Sequence, residues 1–171
     1  MIPSNIILTG FMGTGKSTLG RHLAARLGYQ FRDLDAMIVV HENMSVNEIF
    51  KKKGEPYFRA LETSLIRGIT KEQGIVFSTG GGAVISPENR SMLRNMGFVV
   101  NLCASPTALL ERLSGEHERP LLQMTKDTAT VVRMLQERET CYADADIRID
   151  TTDKSMEDVA DEIMLILESK K

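Results

Sequence analysis

Short apolar runs alternate with longer amphipathic segments along the whole chain. The runs near residues 5–9, 30–34, 75–79, 98–103 and 147–150 are rich in Ile, Val and Phe, and their length predicts strands. Between them, apolar residues recur at helical spacing. In the first such segment, residues 17–27, Leu19, Leu23, Ala24 and Leu27 make one stripe, and Gly28 supplies a stop. Helix starts are marked by the capping box SVNE at 45–48, by Ser86 and Ser105 each followed by proline, and by Ser155 three residues before Asp158. Strands separated by helices predict a parallel sheet with crossover helices. No internal repeat, low-complexity tract or linker divides the chain, so residues 1–171 are expected to form one domain. The irregular stretch SGEHERPLLQMTK, residues 114–126, has the length and composition of a mobile lid.

Composition narrows the classes. The net charge is −2 and there is no long basic run; Lys51, Lys52 and Lys53 read as a solvated helix face, so no nucleic-acid partner is expected. Cys103 and Cys141 are far apart and too few to staple a framework, which predicts reduced thiols and a cytoplasmic location. The first residues lack a basic segment followed by a long apolar core, and no apolar run approaches the roughly 18 residues of a membrane span. Neither secretion nor membrane insertion is expected.

The candidate chemistry begins with GFMGTGKST at residues 10–18, which satisfies G-x-x-x-x-G-K-[ST] between a predicted strand and a predicted helix. Glycines at 10, 13 and 15 let successive N–H groups point at one anion, and the helix dipole adds to the attraction. Gly13, Thr14, Gly15, Lys16, Ser17 and Thr18 are the expected phosphate contacts. Lys16 would face the β- and γ-phosphates and the Ser17 hydroxyl would coordinate one Mg²⁺. After the second strand comes DLD. Alternation along this extended segment puts Asp33 and Asp35 on the same side, at the strand's C-terminal end. One acid can hold the metal through water while the other accepts a proton from a substrate hydroxyl. The strand at 75–79 runs into Gly80, Gly81 and Gly82 without the acid that many P-loop proteins carry there, so Asp33 is assigned to the metal. Three glycines at a strand's carboxyl edge let a ligand approach the backbone. Arg59 stands three residues before Glu62 on one helix face, a spacing that also fits a surface ion pair.

The chain resembles the shikimate kinase family over nearly its whole length. The motifs that carry the resemblance are the phosphate loop, DLD at 33–35, GEPYFRALE at 54–62, the glycine triplet, RPLL at 119–122, and Arg138 followed by Tyr142, Ala145 and Asp146. The resemblance implies a three-layer α/β/α P-loop kinase fold with a five-stranded parallel sheet. It also implies that ATP phosphorylates the 3-hydroxyl of shikimate on the route to chorismate. By the same resemblance, Arg59 and Arg138 hold the substrate carboxylate, Asp35 faces the ring hydroxyls and acts as base, and Gly80, Gly81 and Gly82 line the substrate, with Gly81 donating its backbone N–H. Glu62 orients Arg59, Arg119 closes onto the phosphates, Arg112 stacks on adenine, and Ser155 belongs to the loop on the other side of the base. Thr140 departs from the family, whose members often have proline there, and leaves the helix around Arg138 less interrupted. The expected partners are shikimate and ATP, and the expected state is a monomer.

Two rivals remain at this level. A kinase of the same architecture acting on gluconate or a nucleoside monophosphate would lack the combination of Asp35, Arg59, Gly81 and Arg138. A non-catalytic nucleotide-binding regulator needs only the phosphate loop and has no use for Asp35 and Arg119. A GTPase switch would carry N-K-x-D, which is absent.

Overall fold

The computed structural model describes residues 2–114 and 127–169. Five strands, β1 (Asn5–Gly10), β2 (Gln30–Asp33), β3 (Ile75–Ser78), β4 (Phe98–Cys103) and β5 (Ile147–Asp150), form one sheet in the order β2-β3-β1-β4-β5. Every neighbouring pair is parallel, with Leu8 opposite Ser78 on one side and Val100 on the other. The helices are α1 (Lys16–Leu27), α2 (Leu34–Glu42), α3 (Val46–Gly68), α4 (Pro87–Met96), α5 (Pro106–Leu113), α6 (Thr128–Tyr142) and α7 (Met156–Ser169). Arg119 and all of the lid candidate except Ser114 lie outside the described residues.

Successive side chains of a strand face opposite sides of the sheet, so a strand buried on both faces must be apolar throughout. In β1, Ile6 and Leu8 join Leu19 and Leu23 of α1 and Val159 and Ile163 of α7 on one face. Ile7 joins Phe77, Val99, Ile66 of α3, Leu93 of α4 and Val131 of α6 on the other. The three layers are the outcome of that alternation. At the end of the sheet away from the ligand edge, buried Asn5 donates to the Glu72 and Met96 carbonyls at 2.8 and 2.9 Å and accepts from the Ile75 N–H. One side chain thereby ties the starts of β1 and β3 to the end of α4.

Most element starts match their sequence signals. The capping box at Ser45 forms in both directions, and Ser86 and Ser105 each cap a helix that begins with proline. The helix α3 is interrupted at Gly54, whose φ of 81° no helix interior contains. That break precedes Pro56, whose ring an unbroken helix would force against a carbonyl.

The expectation for Asp33 and Asp35 requires correction. The chain does not stay extended: β2 ends at Asp33, which caps α2 by accepting the Ala36 N–H at 3.1 Å, and Asp35 falls in the first helical turn. A short carboxylate at an N-cap satisfies a helix N–H that otherwise has no partner, and this local gain overrides the strand pattern.

Phe77 is fully buried on β3, beside the central strand β1. Phe77→Ala is expected to destabilise the fold by about 3–5 kcal/mol in urea unfolding.

Candidate active site

The phosphate loop is built where β1 meets α1, with strands β3 and β4 on either side. In open parallel sheets this carboxyl edge, where the strand order reverses, is where ligands bind. Gly13 and Gly15 have φ of 80° and 90°, left-handed values that side chains resist. The loop is braced from within, because the Thr14 hydroxyl and the Lys16 ammonium donate to the Phe11 carbonyl at 2.8 and 2.9 Å. Helix α1 starts from Gly15 with no side-chain cap, which leaves its first N–H groups to an anion. Beside it, the Ser17 hydroxyl donates to Asp33 Oδ2 at 2.5 Å. These two oxygens, one on a helix and one at a strand end, form the kind of hard donor set that suits Mg²⁺. Asp33 therefore caps α2 with one oxygen and reaches the phosphate loop with the other.

Next to the loop opens a cavity of about 540 Å³ lined by Met12, Asp35, Arg59, Glu62 and the glycine triplet, with Phe50 and Phe58 as an apolar wall. The triplet allows an unusually close approach. A Cβ on Gly80 would lie 2.8 Å from Glu62 Oε1 and 3.1 Å from Asp35 Oδ1, and one on Gly82 would lie 2.6 Å from the Arg59 guanidinium. Gly81 faces the other way, with its Cβ position 3.2 Å from the Met12 nitrogen. Any side chain here would push apart the acids, the arginine and the phosphate loop.

Arg59 Nη1 donates to Glu62 Oε2 at 2.7 Å, and Nε and Nη2 donate to Glu55 at 3.2 and 3.1 Å. This is not an ordinary surface pair, because the Glu62 side chain is only 1% exposed and its Oε1 has no hydrogen-bond partner. Burial pushes the Glu62 carboxyl up to about 7; the adjacent Asp35 and Glu55 charges add to that rise and Arg59 opposes it. Burial disfavours the charge on Arg59, but Glu62 and Glu55 outweigh it and hold the guanidinium's pKa above its ordinary value. Arg138 lies on α6 with its guanidinium 5.7 Å over the Phe11 ring, and its Nη1 is buried with no hydrogen-bond partner. The unbroken run of α6 through Thr140 is consistent with the absence of proline there.

Arg112 and Ser155 lie on the far side of the phosphate loop. The Arg112 guanidinium donates to the Gly13 carbonyl at 3.3 Å and to the hydroxyl and carbonyl of Thr151 at 3.0 and 2.7 Å. Its loop partner reaches the same region, with Met156 against Gly15. The Ser155 hydroxyl is engaged with Asp158, each accepting from the other across the first turn of α7. Sequence reasoning missed Phe50 and gave no role to Phe58, two rings whose centroids lie 4.6 Å apart at a tilt of 46°; it took Thr151, buried beside Arg112, only as part of the loop at 150–155. Apolar periodicity in residues 46–58 was the available signal for the wall.

Fold and site together define a P-loop kinase of small-molecule type, with a phosphate loop and a cavity lined by acids and an arginine sharing one sheet edge. The family profile for shikimate kinase matches residues 12–168. A shikimate kinase from Geobacter metallireducens is 56% identical over 166 residues, spanning 97% of this chain and 93% of that protein. Another, from Geobacter sulfurreducens, is 55% identical over 159 residues, spanning 93% and 88%. Among solved structures, the shikimate kinase from Acinetobacter baumannii in complex with shikimate superposes with a TM-score of 0.94 at 36% identity, covering 98% of this chain and 94% of that one. The chain belongs to the shikimate kinase family, whose members are ATP-dependent kinases that phosphorylate shikimate. Among the described residues no helix is long and apolar enough to cross a membrane.

A carboxyl whose pKa is higher in the folded chain than in the unfolded one favours folding below the unfolded value. That contribution is lost as the pH rises through the folded value. For Glu62 the window runs from the ordinary 4.5 to about 7. The melting temperature of the parent chain minus that of Glu62→Gln is therefore expected to fall as the pH is raised across this window. A difference that stays flat would show that burial does not act on this carboxyl.

Proposed function

We propose that residues 1–171 work as one kinase domain that transfers the γ-phosphate of ATP to the 3-hydroxyl of shikimate, giving shikimate 3-phosphate and ADP. One observation carries the division into subsites: Gly81 packs directly on the phosphate loop at Met12, so the acceptor cavity and the phosphate site share a wall of backbone. An in-line transfer needs the two substrates held at that proximity.

Gly13 to Thr18 cradle the phosphates, with the loop N–H groups and Lys16 facing the charge. Lys16 is tethered to the Phe11 carbonyl and exchanges that contact for the phosphates. The Ser17 and Asp33 oxygens would hold one Mg²⁺, Asp33 through water. An ion held there would supply charge neutralisation to the phosphates. Arg112 and the loop that contains Ser155 flank the adenine; with its hydroxyl committed to the cap of α7, Ser155 contributes backbone there. Arg119 is assigned to the phosphates by resemblance.

On the acceptor side, a planar guanidinium can meet a carboxylate with two parallel hydrogen bonds. The unpartnered Nη1 of Arg138 and the Arg59 guanidinium, oriented by Glu62 and Glu55, suit that role. Gly80, Gly81 and Gly82 bring backbone against the ring. Asp35 accepts a hydrogen bond from the 3-hydroxyl and orients its oxygen toward the γ-phosphorus. The oxygen–phosphorus bond forms as the bond to the β,γ-bridging oxygen breaks, and the hydroxyl proton passes to Asp35. In a loose transition state this transfer comes late, so orientation is the larger part of its work. The net charge of −2 without a long basic run and the two free cysteines support a cytoplasmic enzyme whose partners are the small molecules shikimate and ATP; we further propose that it works as a monomer.

The test is ADP release from ATP and Mg²⁺ with and without shikimate, beside gluconate and CMP. Stimulation by shikimate alone is expected; release indifferent to shikimate would leave only nucleotide hydrolysis. Asp35→Asn is expected to lower kcat by about 10²-fold or more while the ATP KM stays within about twofold. Arg138→Lys keeps the charge but loses the fork, and is expected to raise the shikimate KM by about tenfold with little change in kcat.

A further inference from the structure

Tyr142 belongs to none of the roles above, yet it makes the most direct contact between α6 and the glycine triplet. Its hydroxyl donates to the Gly81 carbonyl at 2.6 Å, and the residue is 3% exposed. Arg138 lies one turn earlier on the same face of α6, close enough for its charge to act on the same hydroxyl. The phenol can serve both, accepting from the guanidinium while donating to the carbonyl. Burial raises its pKa, opposed in part by the Arg138 and Arg59 charges, so the proton needed for donation stays in place at neutral pH.

The position of Gly81 makes this contact more than a tie between layers. Its other side is pressed on the phosphate loop at Met12, so its peptide is held between α6 and the loop. Across a trans peptide the carbonyl and the following N–H point in opposite directions. Fixing the Gly81 carbonyl toward Tyr142 therefore turns the Gly82 N–H away from α6. The rotation of this peptide is the freedom that three consecutive glycines leave open, and no side chain in the triplet can restrain it.

We propose that Tyr142 is a positioning residue for the acceptor: its single hydroxyl locks the Arg138 guanidinium and the Gly81–Gly82 peptide into one register, so that both meet the substrate together. The proposal rests on the assignment of Arg138 and the triplet to shikimate. It goes beyond that assignment by naming what sets their mutual orientation. Without the hydroxyl, the Arg138 guanidinium is free to swing and the peptide to rotate, and the substrate must order both on binding.

Tyr142→Phe removes one oxygen and keeps the ring, so the core packing survives, as thermal melting checks. The shikimate KM is expected to rise by about tenfold, as for loss of a buried hydrogen bond that binding depends on, with the ATP KM within about twofold. In the double variant with Arg138→Lys, the rise in KM should fall well short of the product of the two single effects, because both act on one register. A parent-like shikimate KM in Tyr142→Phe, with or without a lower melting temperature, would overturn the positioning role and leave a purely structural tie. Full multiplication of the two effects would overturn the shared register. Arg138→Lys alone reports on the underlying assignment: if it raises the KM and Tyr142→Phe does not, only the positioning role fails. If neither does, both readings fail.

Discussion

The site depends on backbone being brought closer to charged side chains than any Cβ would permit. Gly80 and Gly82 bring the end of β3 against Glu62, Asp35 and Arg59, while Gly81 presses on Met12 at the start of the phosphate loop. The cavity, the loop and the helix α3 therefore meet at one three-residue segment. In this setting the glycines supply room as well as rotational freedom. Because the segment is packed on both sides, it transmits position between the phosphate loop at Met12 and the cavity that holds Asp35, Arg59 and Glu62.

That geometry places polar groups where water is scarce, at a cost the rest of the fold must offset. Glu62 is buried with one oxygen unpartnered, and Arg138 has a buried nitrogen in the same condition. Burying a carboxylate is favourable only when its partners replace lost hydration. Arg59 does so for one Glu62 oxygen, and the raised carboxyl pKa records what remains unpaid. Such unsatisfied groups fit a surface shaped for a ligand with its own donors and acceptors. The apolar layers on both sides of the sheet, continuous from Ile6, Ile7 and Leu8 outward, hold the arrangement together.

Much of this was legible along the chain. The strand positions, the phosphate loop, the caps at Ser45, Ser86 and Ser105, and the parallel order follow from periodicity and turn chemistry, which act over a few residues. The segment at 33–35 was misread because two local signals compete there. Alternation favours continued strand, whereas the Asp33 side chain favours starting a helix, and only the packed chain shows that capping wins. The Arg59–Glu62 pair was visible as a helical spacing, but spacing does not reveal burial. Its partners lie on other elements, at Gly80, Gly82 and Asp35.

The sequence by itself determined the fold class, the phosphate loop and the order of motifs that marks the shikimate kinase family, because each is written in neighbouring residues. The tertiary structure alone decided which of those residues share a cavity. It ended β2 at Asp33 and set Asp35 in the first turn of α2, buried Glu62, and joined Tyr142 to Gly81 across 61 positions of sequence. Contacts of that separation are set by how layers pack, and packing depends on the volume and charge of every residue at once, which no local pattern records.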